Sequence, residues 1–557
     1  NQLHAKVGGN HKNIGYFIEY LNYGSEGFKT LESGKNTGFN KNDVVAKLRV
    51  QLFPNQAVKQ SLDFKFQYAD EKGNETYLGL SEDDFNTNPF SRYAASNNDK
   101  MTTDHTQYML THHLGFSKNL TLTTTFYRNN FARNWYKLND ITFEGDQQKI
   151  SNILGDPTNY SDHFSIVNGT VNSSADAIAV KANNRSYYAQ GMQTKLDYHW
   201  YTENLFHDLE LGFRYHYDEE DRFQWIDKYS ISNTGVLTET TAGVPGTDAN
   251  RISSAKAFAS YITYKLKYQN WTFTPGVRYE DILLERKDFG KNDITRSGSD
   301  LNERENSVAI FIPGMGANYK FNNDLSLFGG IHKGFSPPGN KEDEKAEESI
   351  NYELGTRFSL GKLKGEFVGF YNDYSNLLGS DIAATGGTGS LDQFNAGAVK
   401  VNGIELLLNY NMTSEAARFS FPMSLGYTFT NTEFLNSFGS TDSLWGTVTL
   451  GDELPYIPKH QLNAALSLEH AKFEVNVNAR YNGAFRTLAG SGNIPTDEKV
   501  ASNFIIDMSS KYRVTPQFQL TANLTNLLNN TYAVSRVPAG LRPGHPFGIY
   551  AGFQYQF

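Results

Sequence analysis

Residues 209–217 read Leu-Glu-Leu-Gly-Phe-Arg-Tyr-His-Tyr, and this stretch decides the fold. Its odd-numbered positions are leucine, phenylalanine and tyrosine, whereas its even-numbered positions are Glu210, Gly212, Arg214 and His216. Successive side chains of a β-strand point to opposite faces of the sheet. The stretch therefore predicts a strand with one apolar face and one polar face.

The same alternation recurs along the chain, and it is clearest at 62–68, 271–280 and 549–557. Strands of soluble sandwiches usually have about five or six residues, and these runs are longer. A strand that crosses a membrane needs about 9–11 residues, with its apolar face toward lipid and its polar face toward the lumen. The pattern favours an all-β transmembrane barrel over the alternative, a large soluble all-β protein.

The links between the predicted strands alternate between short and long. The short links fall near 9–12, 54–59, 117–119, 202–207, 269–270, 322–324, 361–363, 412–417, 470–472 and 514–516. The long links fall near 25–41, 71–104, 136–184, 219–253, 286–305, 335–347, 378–395, 435–454, 487–500 and 535–546. Tight periplasmic turns and long extracellular loops give outer-membrane barrels this asymmetry.

Ten short and ten long links predict about twenty-one strands in this chain. Single-chain bacterial barrels have an even number of strands, with both termini in the periplasm. We therefore expect a 22-stranded antiparallel barrel whose first strand lies upstream of residue 1. Barrels of about 22 strands have a plugged lumen, so a plug domain is also expected outside this numbering.

The composition excludes several classes of protein. The 557 residues include no Cys, which excludes a disulfide framework, thiol catalysis and a cysteine-ligated metal. The net charge of −9 argues against broad nucleic-acid binding. No apolar run approaches the roughly 18 residues of a helical membrane span. Because no Ser/His/Asp set has a catalytic spacing, we expect neither an enzyme nor a resident metal or cofactor.

Several segments, taken in order, carry a resemblance to a known family. They are Pro-Gly-Val-Arg-Tyr-Glu at 275–280, Lys-Gly-Phe-Ser-Pro-Pro at 333–338, Glu-Ser-Ile-Asn-Tyr-Glu-Leu-Gly at 348–355, Val-Asn-Gly-Ile-Glu at 401–405, Leu-Pro-Tyr-Ile-Pro-Lys-His-Gln at 454–461 and Asn-Leu-Thr-Asn-Leu-Leu-Asn-Asn-Thr-Tyr at 523–532. In this order they resemble the barrel of TonB-dependent outer-membrane receptors. Segments 79–85 and 185–188 are similar to the ferric-dicitrate type. The terminal Phe557 resembles a sorting signal of outer-membrane barrels.

The resemblance implies that residues 1–557 form one receptor barrel domain in the bacterial outer membrane. Such a receptor imports a ferric chelate, here of the iron–citrate type, and the TonB–ExbB–ExbD complex drives the plug through an N-terminal region outside this numbering. The alternatives within transport are another siderophore, haem or cobalamin. The segment 334–338 departs from the Phe-Arg-Ala-Pro box of haem receptors, which counts against haem. Alternatives of other classes are a passive plugless porin and an adhesin-like surface protein.

Other expected partners follow from the same resemblance. Outer-membrane lipid and lipopolysaccharide would surround the barrel. A surface lipoprotein, a phage or a bacteriocin would contact the long loops. Nucleic acid is not an expected partner.

The candidate ligand-binding residues are cationic and aromatic side chains expected at the extracellular mouth. A ferric citrate complex is anionic, and the fork of an arginine side chain matches a carboxylate in bidentate fashion. The candidates are Arg92, Arg133, Trp135, Arg185, Tyr187, Tyr188 and Lys333, with Lys137, Arg222 and Arg251 as further cations. The alternative reading is an interfacial girdle with solvated loop charges. A neutral or cationic chelate would invalidate this choice of residues.

Charged residues lower on the polar faces form a second group. Glu210, Arg214, Arg278 and Glu280 occupy the polar positions of two alternating segments. Because the polar face lines the lumen of a barrel, we expect these four side chains to face the lumen. The prediction is that they contact the plug and have no direct part in ligand transport.

Overall fold

The computed structural model describes residues 1–53, 56–380, 393–413, 418–439 and 445–557. The molecule is all-β and is organised around one antiparallel sheet of 24 strands. Three of these strands have five residues or fewer: Asp146–Lys149, Leu237–Thr241 and Phe419–Ser420. The other twenty-one are long, and each pairs with the long strand that follows it in the chain. The all-β prediction of about twenty-one strands in this chain is confirmed.

The long strands are numbered here in chain order. They are β1 (Gln2–His11), β2 (Ile14–Ser25), β3 (Phe39–Leu52), β4 (Lys59–Gly73), β5 (Lys100–Gly115), β6 (Leu120–Phe143), β7 (Ile178–Thr202), β8 (Leu205–Ile231), β9 (Ala249–Tyr268), β10 (Trp271–Asp288), β11 (Asn302–Lys320), β12 (Leu325–Ser336), β13 (Glu347–Leu360), β14 (Leu363–Ser380), β15 (Gln393–Asn411), β16 (Pro422–Phe434), β17 (His460–His470), β18 (Phe473–Asn482), β19 (Asn503–Arg513), β20 (Phe518–Thr525) and β21 (Gly548–Tyr555).

The remaining elements are short and lie in the long links. Helices are α1 (Glu82–Thr87), α2 (Ile150–Gly155), α3 (Ser161–Asn168) and the 3₁₀ turns Ala94–Ser96 and Thr496–Glu498. Two-stranded pairs join Phe438–Gly439 to Thr447–Val448, Phe485–Arg486 to Lys499–Val500, and Ala533–Ser535 to Arg542–Pro543. No helix among the described residues is both long and apolar enough to cross a membrane.

Several strands extend well into segments that the sequence assigns to long links. The links 136–184 and 219–253 were predicted there, but β7 already begins at Ile178 and β8 ends only at Ile231. Continued pairing satisfies backbone hydrogen bonds that a loop would have to satisfy otherwise. Most of the predicted link 378–395 and part of 412–417 lie outside the described residues.

The two ends of the sheet are brought together by the long links. In link 74–99, Gly79 N–H donates to the Ala539 carbonyl at 2.7 Å, and Leu80 N–H donates to the Leu541 carbonyl at 2.8 Å. Among the described residues, β1 pairs with β2 and β21 pairs with β20, and no pairing joins β1 to β21. The sheet therefore curls back on itself, and the twenty-second strand and the plug stay predictions.

One face of the sheet is apolar and exposed. A row of seven residues stands in register on the neighbouring strands β5 to β11: Leu114, Leu122, Leu196, Leu211, Ile262, Val277 and Pro313. We call it the apolar row. Leu211 and Ile262 in it are 37% and 42% exposed. An apolar face of this extent suits lipid, so it is the outward face, and the opposite polar face points inward.

The largest hydrophobic core lies among the long links. Tyr77, Leu138, Ile153, Ile178 and Leu541 are all buried members of it. They come from link 74–99, the upper end of β6, link 144–177, β7 and link 526–547. This core fixes the upper ends of β6 and β7 on the long-link side, and the candidate site lies beside it.

Candidate functional site

Four arginines stand directly opposite one another on four neighbouring strands. Arg133 of β6 is paired in register with Arg185 of β7. Arg185 is paired with Arg222 of β8, and Arg222 with Arg251 of β9. Adjacent strands are about 4.7–4.9 Å apart, and like charges directly opposite each other destabilise a sheet. We call these four residues the arginine row.

The arginine row lies on the inward face, on the long-link side of the apolar row. On β8 the even-numbered side chains face inward, and Arg222 continues the series that begins with Glu210. The outward face of β8 is apolar or aromatic only up to Tyr217 and becomes acidic at Glu219 and Asp221. The row therefore lies on the long-link side of the membrane-spanning part of the strands.

Glu220 is the internal counterion of the row. Its carboxylate accepts from Arg185 Nη1 at 2.9 Å and from Arg222 Nε at 2.7 Å. Burial alone would raise the pKa of Glu220, but the two guanidinium groups lower it below its usual value. One carboxylate thus holds two of the four arginines in place.

Neighbouring positive charges also act on Arg251, the last arginine of the row. Burial lowers the pKa of Arg251, and so do the positive charges of Arg222 and Arg286. Asp288 and Glu220 raise it, and the resulting pKa is about 10. Arg286 of β10 lies one register step below the row and ion-pairs with Asp288 at 2.7 Å. The opposing Arg304 of β11 adds a further cation at this level. An anion that entered this region would relieve the mutual repulsion of these groups.

Two buried lysines lie above the row on the same face. Lys137 and Lys181 are paired in register, and Lys181 ion-pairs with Asp248 at 2.7 Å. Lys137 is 2% exposed, and its Nζ lies 4.3 Å from the ring centroid of Tyr77 and 5.3 Å from that of Trp135. Burial, followed by the charge of Lys181, lowers the pKa of Lys137 to about 8.

Aromatic side chains lie between the cations. The Tyr187 hydroxyl is 3.4 Å from Arg133 Nε and 3.5 Å from Arg185 Nη1. The rings of Tyr187 and Phe131 have centroids 5.8 Å apart. Trp135 lies one register step above Arg133 on the same face. The predicted candidates Arg133, Trp135, Arg185 and Tyr187 are thus brought together, while their role in ligand binding stays a prediction.

Three other candidates lie elsewhere. Tyr188 occupies the outward face, where Arg128 stacks on its ring at 4.8 Å, because neighbouring residues of a strand face opposite sides. Lys333 also lies on the outward face, paired with Glu348 at 2.8 Å. Arg92 is buried within link 74–99, where it donates to the carbonyls of Asn74 at 2.5 Å and Ser96 at 2.7 Å. These contacts give Arg92 a structural role in the loop.

The four residues predicted to face the lumen lie on the inward face, below the row. Glu210 accepts from the Tyr261 hydroxyl at 2.6 Å, and Arg214 Nε donates to the Tyr127 hydroxyl at 3.1 Å. Arg278 and Glu280 form an ion pair at 2.5 Å. Their contact with a plug stays a prediction.

Sequence reasoning missed Lys181, Glu220, Arg286 and Arg304 in this site. A signal for two of them exists in the alternation itself. Glu220 continues the even-numbered polar series of 210–216, and Arg286 continues the series of Arg278 and Glu280. The predicted long links 219–253 and 286–305 end β8 and β10 before these residues, so the sequence does not assign them to the strands.

The chain matches the family "TonB dependent receptor-like, beta-barrel" over residues 22–527. It is 25% identical over 329 residues to the ferrienterobactin receptor of Escherichia coli strain K12, a match covering 54% of this chain and 40% of that receptor. The match therefore spans less than half of that relative's length.

Solved structures of receptors share the fold. The ferric citrate transporter FecA in its unliganded form superposes with a TM-score of 0.73 at 17% identity, covering 99% of this chain and 75% of FecA. The ferric-catecholate import receptor Fiu from E. coli K12, in its open form, gives 0.72 at 13% identity, covering 100% and 79%. The siderophore receptor PiuA from Acinetobacter baumannii gives 0.73 at 13% identity, covering 100% and 79%. At these identities the likeness concerns the fold alone.

Proposed function

We propose, because the chain belongs to the family of TonB-dependent receptor-like β-barrels, that it is the barrel of an outer-membrane receptor importing an anionic ferric chelate of the iron–citrate type. The relatives that match are receptors for iron chelates by their names. The chain would bind the chelate from outside the cell and release it into the periplasm. In this proposal the protein is a transporter and not an enzyme.

The arginine row is the observation that carries the choice of cargo. Placing four guanidinium groups in register, three of them buried, is unfavourable unless anions accompany them. Each guanidinium offers parallel N–H donors that match a planar carboxylate. A chelate that presents several carboxylates, as ferric citrate does, complements the row better than a neutral chelate, haem or cobalamin.

The energy-coupling step belongs to the same proposal. A plug and an N-terminal contact with the TonB–ExbB–ExbD complex would lie outside residues 1–557. The inward charges of Arg214, Arg278 and Glu280 would then contact the plug below the ligand. Binding at the row and opening of the plug are separate events, so ligand affinity can be measured without energy coupling.

The direct test is the double variant Arg133→Ala, Arg185→Ala in the purified full-length receptor. Hydrogen bonds to charged groups contribute about 1.5–3 kcal/mol each, so losing two predicts a loss of affinity for ferric citrate of about 100-fold or more. Quenching of tryptophan fluorescence would report binding, because Trp135 lies in the site. Arg222 keeps its ion pair with Glu220 in this variant.

The matched control is Arg128→Ala, which removes an arginine from the outward face of the same strand. Its affinity for ferric citrate should stay within about twofold of the unmodified receptor. A neutral hydroxamate chelate and a catecholate chelate of iron serve as competing ligands. Unchanged binding in the double variant, or tighter binding of the neutral chelate, would contradict the proposal.

A further inference from the structure

A cavity lies on the opposite face of the strands that carry the arginine row. It has a volume of about 300 Å³ and is lined by Asn184, Ser186, Asp221, Phe223 and Arg296. Residues 184 and 186 alternate with Arg185, and residues 221 and 223 flank Arg222. The cavity therefore opens outward, away from the arginine row, and is a separate site.

The walls of this cavity are held in place. Arg296, carried by link 289–301, donates to both carboxylate oxygens of Asp221 at 2.5 and 2.9 Å. Its Nε donates to Asn250 Oδ1 at 2.8 Å. Its guanidinium lies 4.8 Å from the ring centroid of Phe223 and 5.3 Å from that of Phe289. The polar and aromatic groups are thus preorganised, which lowers the cost of binding.

The position of the cavity along the strands indicates which layer of the membrane surrounds it. Tyr188 and Tyr217 lie on the outward face just below it, with ring centroids 5.6 Å apart. Tyrosines concentrate at the boundary between the acyl chains and the headgroups of a membrane. In an outer membrane the cavity would therefore stand at the level of the sugars of the outer-leaflet glycolipid.

The chemistry of the lining fits a saccharide. Sugar hydroxyls both donate and accept hydrogen bonds, and the lining offers a carboxylate, a guanidinium, an amide and a hydroxyl. The C–H face of a sugar ring packs on an aromatic ring such as Phe223. The volume is at the lower end of the roughly 300–1,000 Å³ usual for ligand pockets and has room for one sugar ring. Next to the lining, the buried Oδ1 of Asn134, which is in register with Asn184, accepts no hydrogen bond from the described residues.

A cation below the cavity adds a second contact point. Arg128 is exposed on the outward face, and its guanidinium donates to the neutral amide oxygens of Gln190 at 2.7 Å and Asn130 at 3.1 Å. Gln190 is four residues below Ser186 on β7, a rise of about 13 Å. A glycolipid that carries a phosphate nearer the membrane than its sugars matches this order.

We propose that this outward cavity binds one sugar residue of the outer-leaflet lipopolysaccharide, with Arg128 contacting a phosphate of the same molecule. The site is independent of the iron chelate. It would hold the upper part of β7 and β8, and link 289–301, against the glycolipid layer. It is therefore an annular lipid site on the wall behind the arginine row.

The test uses the full-length receptor in detergent and isothermal titration with three probes. The probes are delipidated core oligosaccharide from a rough-type lipopolysaccharide, lipid A, and a free hexose. Ser186→Trp fills the cavity, and Asn184→Ala removes an amide without adding bulk. The matched control is Ser307→Trp, an exposed outward position on β11. Heat-modifiable gel mobility verifies that each variant is folded.

Core oligosaccharide should bind the unmodified receptor and the Ser307→Trp control alike. Its affinity should fall at least tenfold in both cavity variants, and lipid A should bind more weakly to Arg128→Ala. Equal affinity in a folded cavity variant, no binding of oligosaccharide, or equally tight binding of free hexose would overturn the proposal. Ferric citrate affinity should not change in the cavity variants, so failure of this site and failure of the proposed function are distinguishable.

Discussion

Two cross-strand rows in the same sheet show how one alternating pattern serves two purposes. The apolar row, with Leu196, Leu211 and Ile262 on β7 to β9, faces outward and is stable because lipid covers it. The arginine row crosses the same three strands with Arg185, Arg222 and Arg251, on the inward face and on the long-link side of the apolar row. The apolar row stabilises the folded sheet in a membrane, whereas the like charges of the arginine row destabilise the sheet.

The two rows differ in their effect on the stability of the sheet, and this difference indicates which of them is a candidate for ligand binding. An exposed apolar row needs no explanation beyond the bilayer, since burial in lipid stabilises it. A row of like charges lowers stability and needs a compensating group. Glu220 compensates Arg185 and Arg222, and Asp288 stands in register with Arg251. In the proposed function, an incoming anion would relieve repulsion within the row.

The largest expected effect breaks the apolar row. Leu211→Lys puts a charge among Leu196 and Ile262, and cationic side chains on the lipid face of a barrel cost about 2–4 kcal/mol at the bilayer midplane. Unfolding by guanidinium chloride in lipid vesicles would measure the loss. Asp218→Lys, two register steps below the arginine row on the inward face, is the control and should cost less than about 1 kcal/mol. Equal losses in both variants would contradict the assignment of faces.

A smaller effect is expected when the counterion of the arginine row is removed. Glu220→Gln removes the negative charge that competes with the ligand for Arg185 and Arg222. Ferric citrate should bind about tenfold more tightly, a gain of about 1.4 kcal/mol, while the empty receptor becomes less stable to heat. The neighbouring Glu219→Gln changes the same charge on the outward face and should leave the affinity unchanged. Weaker binding in Glu220→Gln would show that Glu220 orients the arginines for the ligand.

The smallest effect is a pH dependence from Lys137, whose pKa is lowered to about 8. Below that pH the lysine is charged in the empty receptor, and above it the lysine is neutral. An anion favours the charged form, so affinity should weaken by about threefold as pH rises from 7 to 9. The pKa in the unfolded chain is higher, so the unfolded state binds more protons between about 8 and 10.5, and this lysine makes stability rise over that window.

Lys137→Met should remove this part of the pH profile of ferric citrate binding. Lys256→Met, on the outward face, is the control and should keep the profile of the unmodified receptor. The difference between the profiles of the unmodified receptor and Lys137→Met excludes the effect of pH on the chelate itself, because that effect is the same in both. Identical profiles for the unmodified receptor and Lys137→Met would mean that the ligand does not approach this lysine.

The sequence predicts some residues of the candidate site but not the full set. The affinity of arginine for carboxylates predicts Arg133 and Arg185 as ligand contacts, and both lie in the row. Tyr187 and Tyr188 are both predicted as ligand contacts, although neighbouring side chains of a strand face opposite sides. The sequence alone could therefore have excluded one of them. The sequence could not predict that the Arg92 side chain donates to loop carbonyls, because link 74–99 has no periodicity that would indicate the direction of its side chains.

By itself, the sequence determined the class of fold, the number of long strands in the chain and the rhythm of short and long links. These follow from local rules: side chains alternate along a strand, and turns need particular residues. Only the tertiary structure decided that Arg133, Arg185, Arg222 and Arg251 share one row. Register depends on how far each strand continues into its link, and a slip of one residue would turn a whole strand's side chains to the other face.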